Sequence, residues 1–203
     1  EGPVIQAANV RALRNGITTE DIFEFVKDIK KEVSIPLVFM TYSNVVFSYG
    51  SKRFIENCQK IGIDGLILPD CPYEEKEEFS DLCLQYDVDL ISLIAPTSKD
   101  RIQMIAKEAK GFVYLVSSLG VTGTRSELRS DLNELVEVIR ENTSIPCAIG
   151  FGISTPEQAK SMSQIADGII VGSAIIKLLE KYGKDAPLYI GHFVKSMKEA
   201  MSK

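Results

Sequence analysis

CAIGFGISTPEQAKSMSQIADGIIVGSAIIKLLEKYG, Cys147 to Gly183, holds two short apolar runs that each end in glycine, meet Ser or Thr, and pass into a helical pattern. Glycine lets a backbone approach a ligand closely or adopt φ > 0, and a helix starting there points unpaired N–H groups outward. Used twice in one stretch, that geometry suits an anion, above all a phosphate.

Reading back along the chain, similar β-rich runs recur: LVFMTY (37–42), GLILP (65–69), VDLISLI (88–94) and FVYLVS (112–117), before CAIG (147–150) and GIIVG (168–172). Amphipathic helical patterns lie between them, SKRFIENCQKIG, YEEKEEFSDLCLQY, SKDRIQMIAKEAKG and DLNELVEVIREN among them. Strand alternating with helix predicts a parallel sheet with helices outside, and near-continuous apolar strands predict burial on both faces. Thr18 with Asp21, and Thr155 with Pro156 and Glu157, mark helix starts. Gly62, Gly111 and Gly183 stand where helices should stop. No linker, repeat of low complexity or charge block divides the chain, so residues 1–203 are expected to form one domain.

A (β/α)8 TIM barrel commonly binds phosphate with the loops after its seventh and eighth strands, the last feeding an extra helix. If GFGIS follows strand seven and GSAI strand eight, the runs present are strands 3 to 8 of an α/β barrel. The expected domain is then partial at its N-terminus by two strand-helix units, about 60 residues, which would restore the usual size of about 250.

The composition narrows the function classes. The chain has 203 residues, 45% hydrophobic and 25% charged, with a net charge of −5. No Lys/Arg cluster interleaves with aromatics, which argues against nucleic acid, and KDIKK at 27–31 reads as a solvated helix end. No run is long enough to span a membrane and no signal-peptide pattern opens the chain, so a cytoplasmic place is expected. Cys58, Cys71, Cys83 and Cys147 are widely spaced and His192 is the one histidine. No metal site or disulfide framework is indicated.

In such a barrel the chemistry lies on loops after the strand C-termini. The longest, SSLGVTGTRSELRS (117–130), reads either as a closing lid or as a plain connection. Tyr114 lies within a strand, and its direction depends on the alternation. Asp70, in PDCPYEE, is a functional carboxylate or, with more weight, a helix cap.

Together, EGPVIQAANVRAL, MTYSNVVFSYG, GLILPDCPYEE, YLVSSLGVTGTR, GFGIS and DGIIVGSAI resemble, in order and with compatible spacing, the alpha chains of tryptophan synthase. GFGIS alone would be weak, being shared by several phosphate-binding barrels; six motifs in order are specific. The resemblance implies a lyase that cleaves indole-3-glycerol phosphate by a retro-aldol reaction into indole and glyceraldehyde 3-phosphate, a late step of tryptophan biosynthesis. No metal or organic cofactor is needed for this.

By the same resemblance Glu1 takes the place of the carboxylate before Gly-Pro that holds the indole N–H, and is one methylene longer than the family's more familiar Asp. The family's second carboxylate, a glutamate on strand two, has no counterpart here, so the chain by itself is expected to show little lyase activity. Tyr114 corresponds to the tyrosine near the glycerol portion and Thr122 to the threonine of the closing loop. Gly123, Gly152, Gly172 and Ser173 correspond to the phosphate-holding positions, and Ile5, Met40, Tyr42 and Ile67 are expected around the indole. A beta chain that receives the indole is the implied partner, in an α2β2 complex, through YSNVVFSYG (42–50) and PDCPYEE (69–75). The alternatives are another phosphate-binding barrel enzyme, although the strand ends here offer no lysine, or an inactive subunit that only activates a beta chain.

Overall fold

The computed structural model describes residues 2–117, 125–150 and 152–202, the side chains of 125–130 excepted. It opens with helices α1 (Pro3–Arg14) and α2 (Thr19–Ile29). β1 (Val38–Met40), α3 (Ser43–Tyr49), α4 (Ser51–Ile61), β2 (Gly65–Ile67) and α5 (Glu77–Gln85) follow. Next come β3 (Asp89–Leu90), β4 (Ser92–Ile94), α6 (Lys99–Lys107), β5 (Val113–Val116) and α7 (Arg125–Asn142). The described part ends with β6 (Cys147–Gly150), α8 (Pro156–Ser163), β7 (Gly168–Ile169), α9 (Ser173–Tyr182) and α10 (Ala186–Met201).

Every pairing is parallel, in the orders β1-β2-β3 and β4-β5-β6-β7. The run expected as a single strand over 88–94 serves both ladders. Its first half pairs β2 and its second half β5, with the Ile91 N–H donating to Leu66 O at 2.9 Å between them. Among the described residues the strand positions therefore number six, as the sequence pattern predicts.

Side chains alternate as the pleat requires. On one face Ile67, Ile91 and Tyr114 form a buried cluster against Val38, Leu93, Phe112, Val116 and Ile170. On the other, Leu66 and Leu68 meet Phe23, Phe54, Ile55 and Phe79 from the helices. Ile94, Val113, Leu115 and Ile149 meet Ile102, Ile139 and Met162 in the same way. Burying each such side chain contributes about 1.5–3 kcal/mol, which is why the strands read as unbroken apolar runs.

The helix starts follow their caps. Thr18 and Asp21 form a reciprocal capping box for α2, and Thr155 forms one for α8 with Gln158 rather than Glu157. Gly62 ends α4 in the left-handed region. Gly111 does not end α6, which stops at Lys107 with Glu108 as cap. Its requirement is steric and conformational: φ is +65°, and a Cβ there would stand 2.8 Å from Ile91 Cδ1. Lys27 and Lys31 pair with Glu24 and Asp28 on the exposed end of α2, as expected of a solvated helix end. His192 lies exposed on α10.

Two Asp-Gly steps lock the strands at their N-terminal ends. Asp64 accepts from Leu37 N–H at 2.7 Å and pairs with Lys30 at 3.2 Å. Asp167 accepts from Cys147 N–H at 2.9 Å and pairs with Arg140 at 3.1 Å. The Leu37 N–H is the main reason Asp64 titrates below the ordinary carboxylate range. Burial pushes Asp167 up, but the Cys147 N–H and Arg140 outweigh it and leave it low. Stability from these groups is present above the ordinary carboxylate range and is lost as the pH falls through their lowered values. No helix among the described residues is long and apolar enough to cross a membrane.

Candidate active site

Tyr114 points to the inner face: it is only 5% exposed and packs with Ile67 and Ile91. Its burial raises the phenol pKa, so the side chain is a neutral hydrogen-bonding group near neutral pH. Room for the ring comes from the neighbouring strand. Register sets Tyr114 opposite Ala148 and Val116 opposite Gly150. A Cβ at Gly150 would stand 2.6 Å from Tyr114 Cζ and 2.5 Å from its hydroxyl oxygen. The first glycine of the decisive stretch is therefore demanded by the tyrosine, a pairing that only the register reveals.

Ile67 shares this buried cluster, and Met40 is its ladder partner on β1. Met40 is 47% and Tyr42 37% exposed, at the open C-terminal end of that strand. Ile5 is half-buried on α1, a helix tied to α9 through the Arg11–Glu180 ion pair at 3.2 Å. The structure thus brings Tyr114 and Ile67 together and places Met40 beside them, with Ile5 on a separate element. Glu1, Thr122 and Gly123 lie outside the described residues.

The two glycine-led helix starts differ. After β6, Gly152 has φ +78°, which only glycine adopts without strain. The hydroxyl residues beyond it are occupied: Thr155 Oγ1 accepts from Gln158 N–H at 3.3 Å, and Ser154 Oγ donates to Gln158 Oε1 at 3.2 Å. After β7, Gly172 is the N-cap of α9 and no side chain caps that helix. Ile175 and Ile176 donate to Gly172 O, while first-turn N–H groups before them have no partner within a helix. A Cβ at Gly172 would meet no atom within 4 Å, so packing among the described residues does not require glycine there. Uncapped N–H groups at the positive end of a helix dipole attract an anion.

Asp70 is spent on structure. Its carboxylate accepts from Ser43 N–H at 2.9 Å and from Ser43 Oγ–H at 2.8 Å, capping α3 from the loop after β2. That bond braces the two segments expected to meet a partner. Ser117 has no distinguishing signal in its sequence context, yet it is buried at 3% exposure where β5 ends. Its hydroxyl donates to Gly150 O at 2.8 Å. A cavity of about 540 Å³ lies elsewhere, lined by Leu68, Tyr73, Lys76, Leu90 and Glu108 among others, and includes neither Tyr114 nor Gly172. The four cysteines are free, three of them buried with thiols pushed up to about 12, hence inert. Among the described residues no three His, Cys, Asp or Glu side chains are grouped to hold a metal.

Residues 1–201 match the family model described as tryptophan synthase alpha chain. The tryptophan synthase alpha chain of Lacticaseibacillus casei is 47% identical over 201 residues, which are 99% of this chain and 76% of that protein. The tryptophan synthase alpha subunit of Campylobacter jejuni superposes with a TM-score of 0.87 at 34% identity, over 97% of this chain and 78% of that one. A chain from a study of mutual activation in the tryptophan synthase α2β2 complex of Pyrococcus furiosus superposes at 0.84 with 28% identity, over 98% of this chain and 80% of that one. These neighbours fix the fold class as α/β of the TIM-barrel type.

Proposed function

The chain belongs to the tryptophan synthase alpha chain family, and on that premise we propose how its residues share the work of cleaving indole-3-glycerol phosphate into indole and glyceraldehyde 3-phosphate. The reaction is a retro-aldol cleavage. The indole ring is protonated at C3, positive charge spreads to the ring nitrogen, a proton leaves the glycerol hydroxyl, and the carbon–carbon bond breaks.

Buried Tyr114 stays protonated and orients the glycerol portion from inside the barrel. Ile67 and Met40, beside it, face the indole, with Tyr42 and Ile5 extending the apolar wall. Glu1, assigned from the sequence resemblance, steadies the charge that develops at the indole nitrogen; such groups act in the transition state. Gly152, Gly172 and Ser173 hold the phosphate, together with Gly123, and Thr122 belongs to the loop that closes over it. The product indole passes to a beta chain in an α2β2 complex, which docks over α3 and the 69–75 segment that Asp70 braces. One barrel domain spans residues 1–203, and a cytoplasmic place fits the biosynthetic role.

The observation that carries the site assignment is the uncapped start of α9 at a glycine that packing does not require. Ser173→Asp tests it. Aspartate is compatible with a first helical turn, so the variant should melt like the wild type. A phosphate about 4 Å from the new carboxylate meets about 4 kcal/mol of repulsion at an effective dielectric of 20. Glyceraldehyde 3-phosphate should bind the variant a hundredfold or more weaker, and free indole almost unchanged. Unaltered binding of both ligands would remove the phosphate from this position.

A further inference from the structure

Ser117 is the single polar residue that is buried among the described residues, and it stands where β5 ends. Two of its groups converge on one atom. The Ser117 N–H donates to Gly150 O at 3.0 Å, extending the β5–β6 ladder, and the Ser117 hydroxyl donates to the same oxygen at 2.8 Å. Both lone pairs of that carbonyl are thereby engaged, which fixes the Gly150 carbonyl at the end of β6.

The atom so held has neighbours that matter. Gly150 presents its Cα face to the Tyr114 ring, and Gly152 at φ +78° follows two residues later. Neither Gly150 nor Gly152 carries a side chain that could anchor the backbone at its own position. The N–H bond alone is what any β5 residue except proline would supply. The hydroxyl is the additional constraint, and a buried hydroxyl is kept in a core only when it is satisfied.

We propose that Ser117 is a positioning residue for the known reaction: by clamping Gly150 O with two donors it sets the seat of the Tyr114 ring and holds the end of β6 ahead of Gly152. Its role is to act through Gly150 and Tyr114. The inference rests on the phosphate reading of Gly152 and Gly172.

Three variants of the full chain test it: Ser117→Ala, Ser117→Thr and Ser117→Val. Thr and Val have nearly the same shape and differ in the hydroxyl, so any steric cost of the added methyl is common to both. Losing one hydrogen bond of this kind corresponds to about 3- to 10-fold. Ser117→Ala should bind glyceraldehyde 3-phosphate weaker by that factor, with free indole unchanged. The threonine variant should retain more of the phosphate affinity than the valine variant by the same factor. Equal affinities of the wild type and all three variants for glyceraldehyde 3-phosphate would overturn the inference, as would parallel losses for both ligands that track thermal stability. Should the threonine and valine variants fail to fold, the alanine variant decides alone on the same ratio of ligand affinities. If Ser173→Asp abolishes phosphate binding while Ser117→Ala leaves it intact, only the role of Ser117 falls. If neither substitution affects it, the phosphate reading falls as well.

Discussion

The two halves of the Cys147–Gly183 stretch share a pattern, an apolar strand, a glycine, a hydroxyl residue and a helix, and the structure uses them differently. In the first half the strand-ending Gly150 is filled from the side by Tyr114, and the Thr155–Gln158 capping box closes α8 with the protein's own groups. In the second half nothing packs over Gly172 among the described residues, and α9 starts without a side-chain cap. A glycine can answer an internal demand for space or an external demand for access. The pattern alone does not distinguish them; the contacts around a built Cβ do.

The largest effect is expected of Gly150→Ala. Its methyl would overlap the Tyr114 ring, so the tyrosine must leave its seat. We expect a stability loss of about 1–3 kcal/mol from overpacking. In a chain that also carries the family's strand-two glutamate, turnover with a beta chain should fall by about 10²-fold, a loss comparable to removal of one transition-state group. Melting and steady-state kinetics on the same preparation check both. Normal turnover would show that the ring position is not functional.

Gly172→Ala should separate the second glycine from the first. The open space at its Cα predicts a melting temperature close to wild type, while glyceraldehyde 3-phosphate binds about tenfold weaker, roughly 1.4 kcal/mol. A large stability loss with unchanged ligand affinity would reverse the assignment. The smallest effect belongs to Thr155→Ala. Removing this cap should cost about 1 kcal/mol of stability, read from denaturant unfolding, and leave phosphate affinity as it was. Weakened phosphate binding at unchanged stability would mean that the start of α8 is itself part of the anion site.

Much of the fold is legible in the sequence because the strands are buried on both faces and helices α2 and α8 carry their caps locally. α3 is not legible in that way: its seven residues hold no side-chain cap, and Asp70, 27 positions away, supplies the acceptor. The 88–94 run looks like one strand because its apolar pattern continues through Ile91 while its pairing changes partners there. Gly111 resembles a helix stop because its neighbour across space, Ile91, lies 20 residues back. Within the site, the glycines and Tyr114 stand out by motif, but the direction of Tyr114 depends on register. Ser117 stands at the junction of the run 112–117 and the loop 117–130, so the sequence leaves its burial open and only the structure shows it. Asp70 shows the converse, a carboxylate at a strand end whose bonds serve the scaffold.

The most direct test of the difference between the two helix starts is an amide-by-amide titration of the ¹⁵N-labelled chain with glyceraldehyde 3-phosphate, followed by NMR. Saturable shifts are expected at the amides of Gly152, Gly172, Ser173 and Ala174. Those of Glu157 and Gln158 in the first turn of α8 should stay in place. Shifts confined to the start of α8, with Gly172 to Ala174 unmoved, would contradict it.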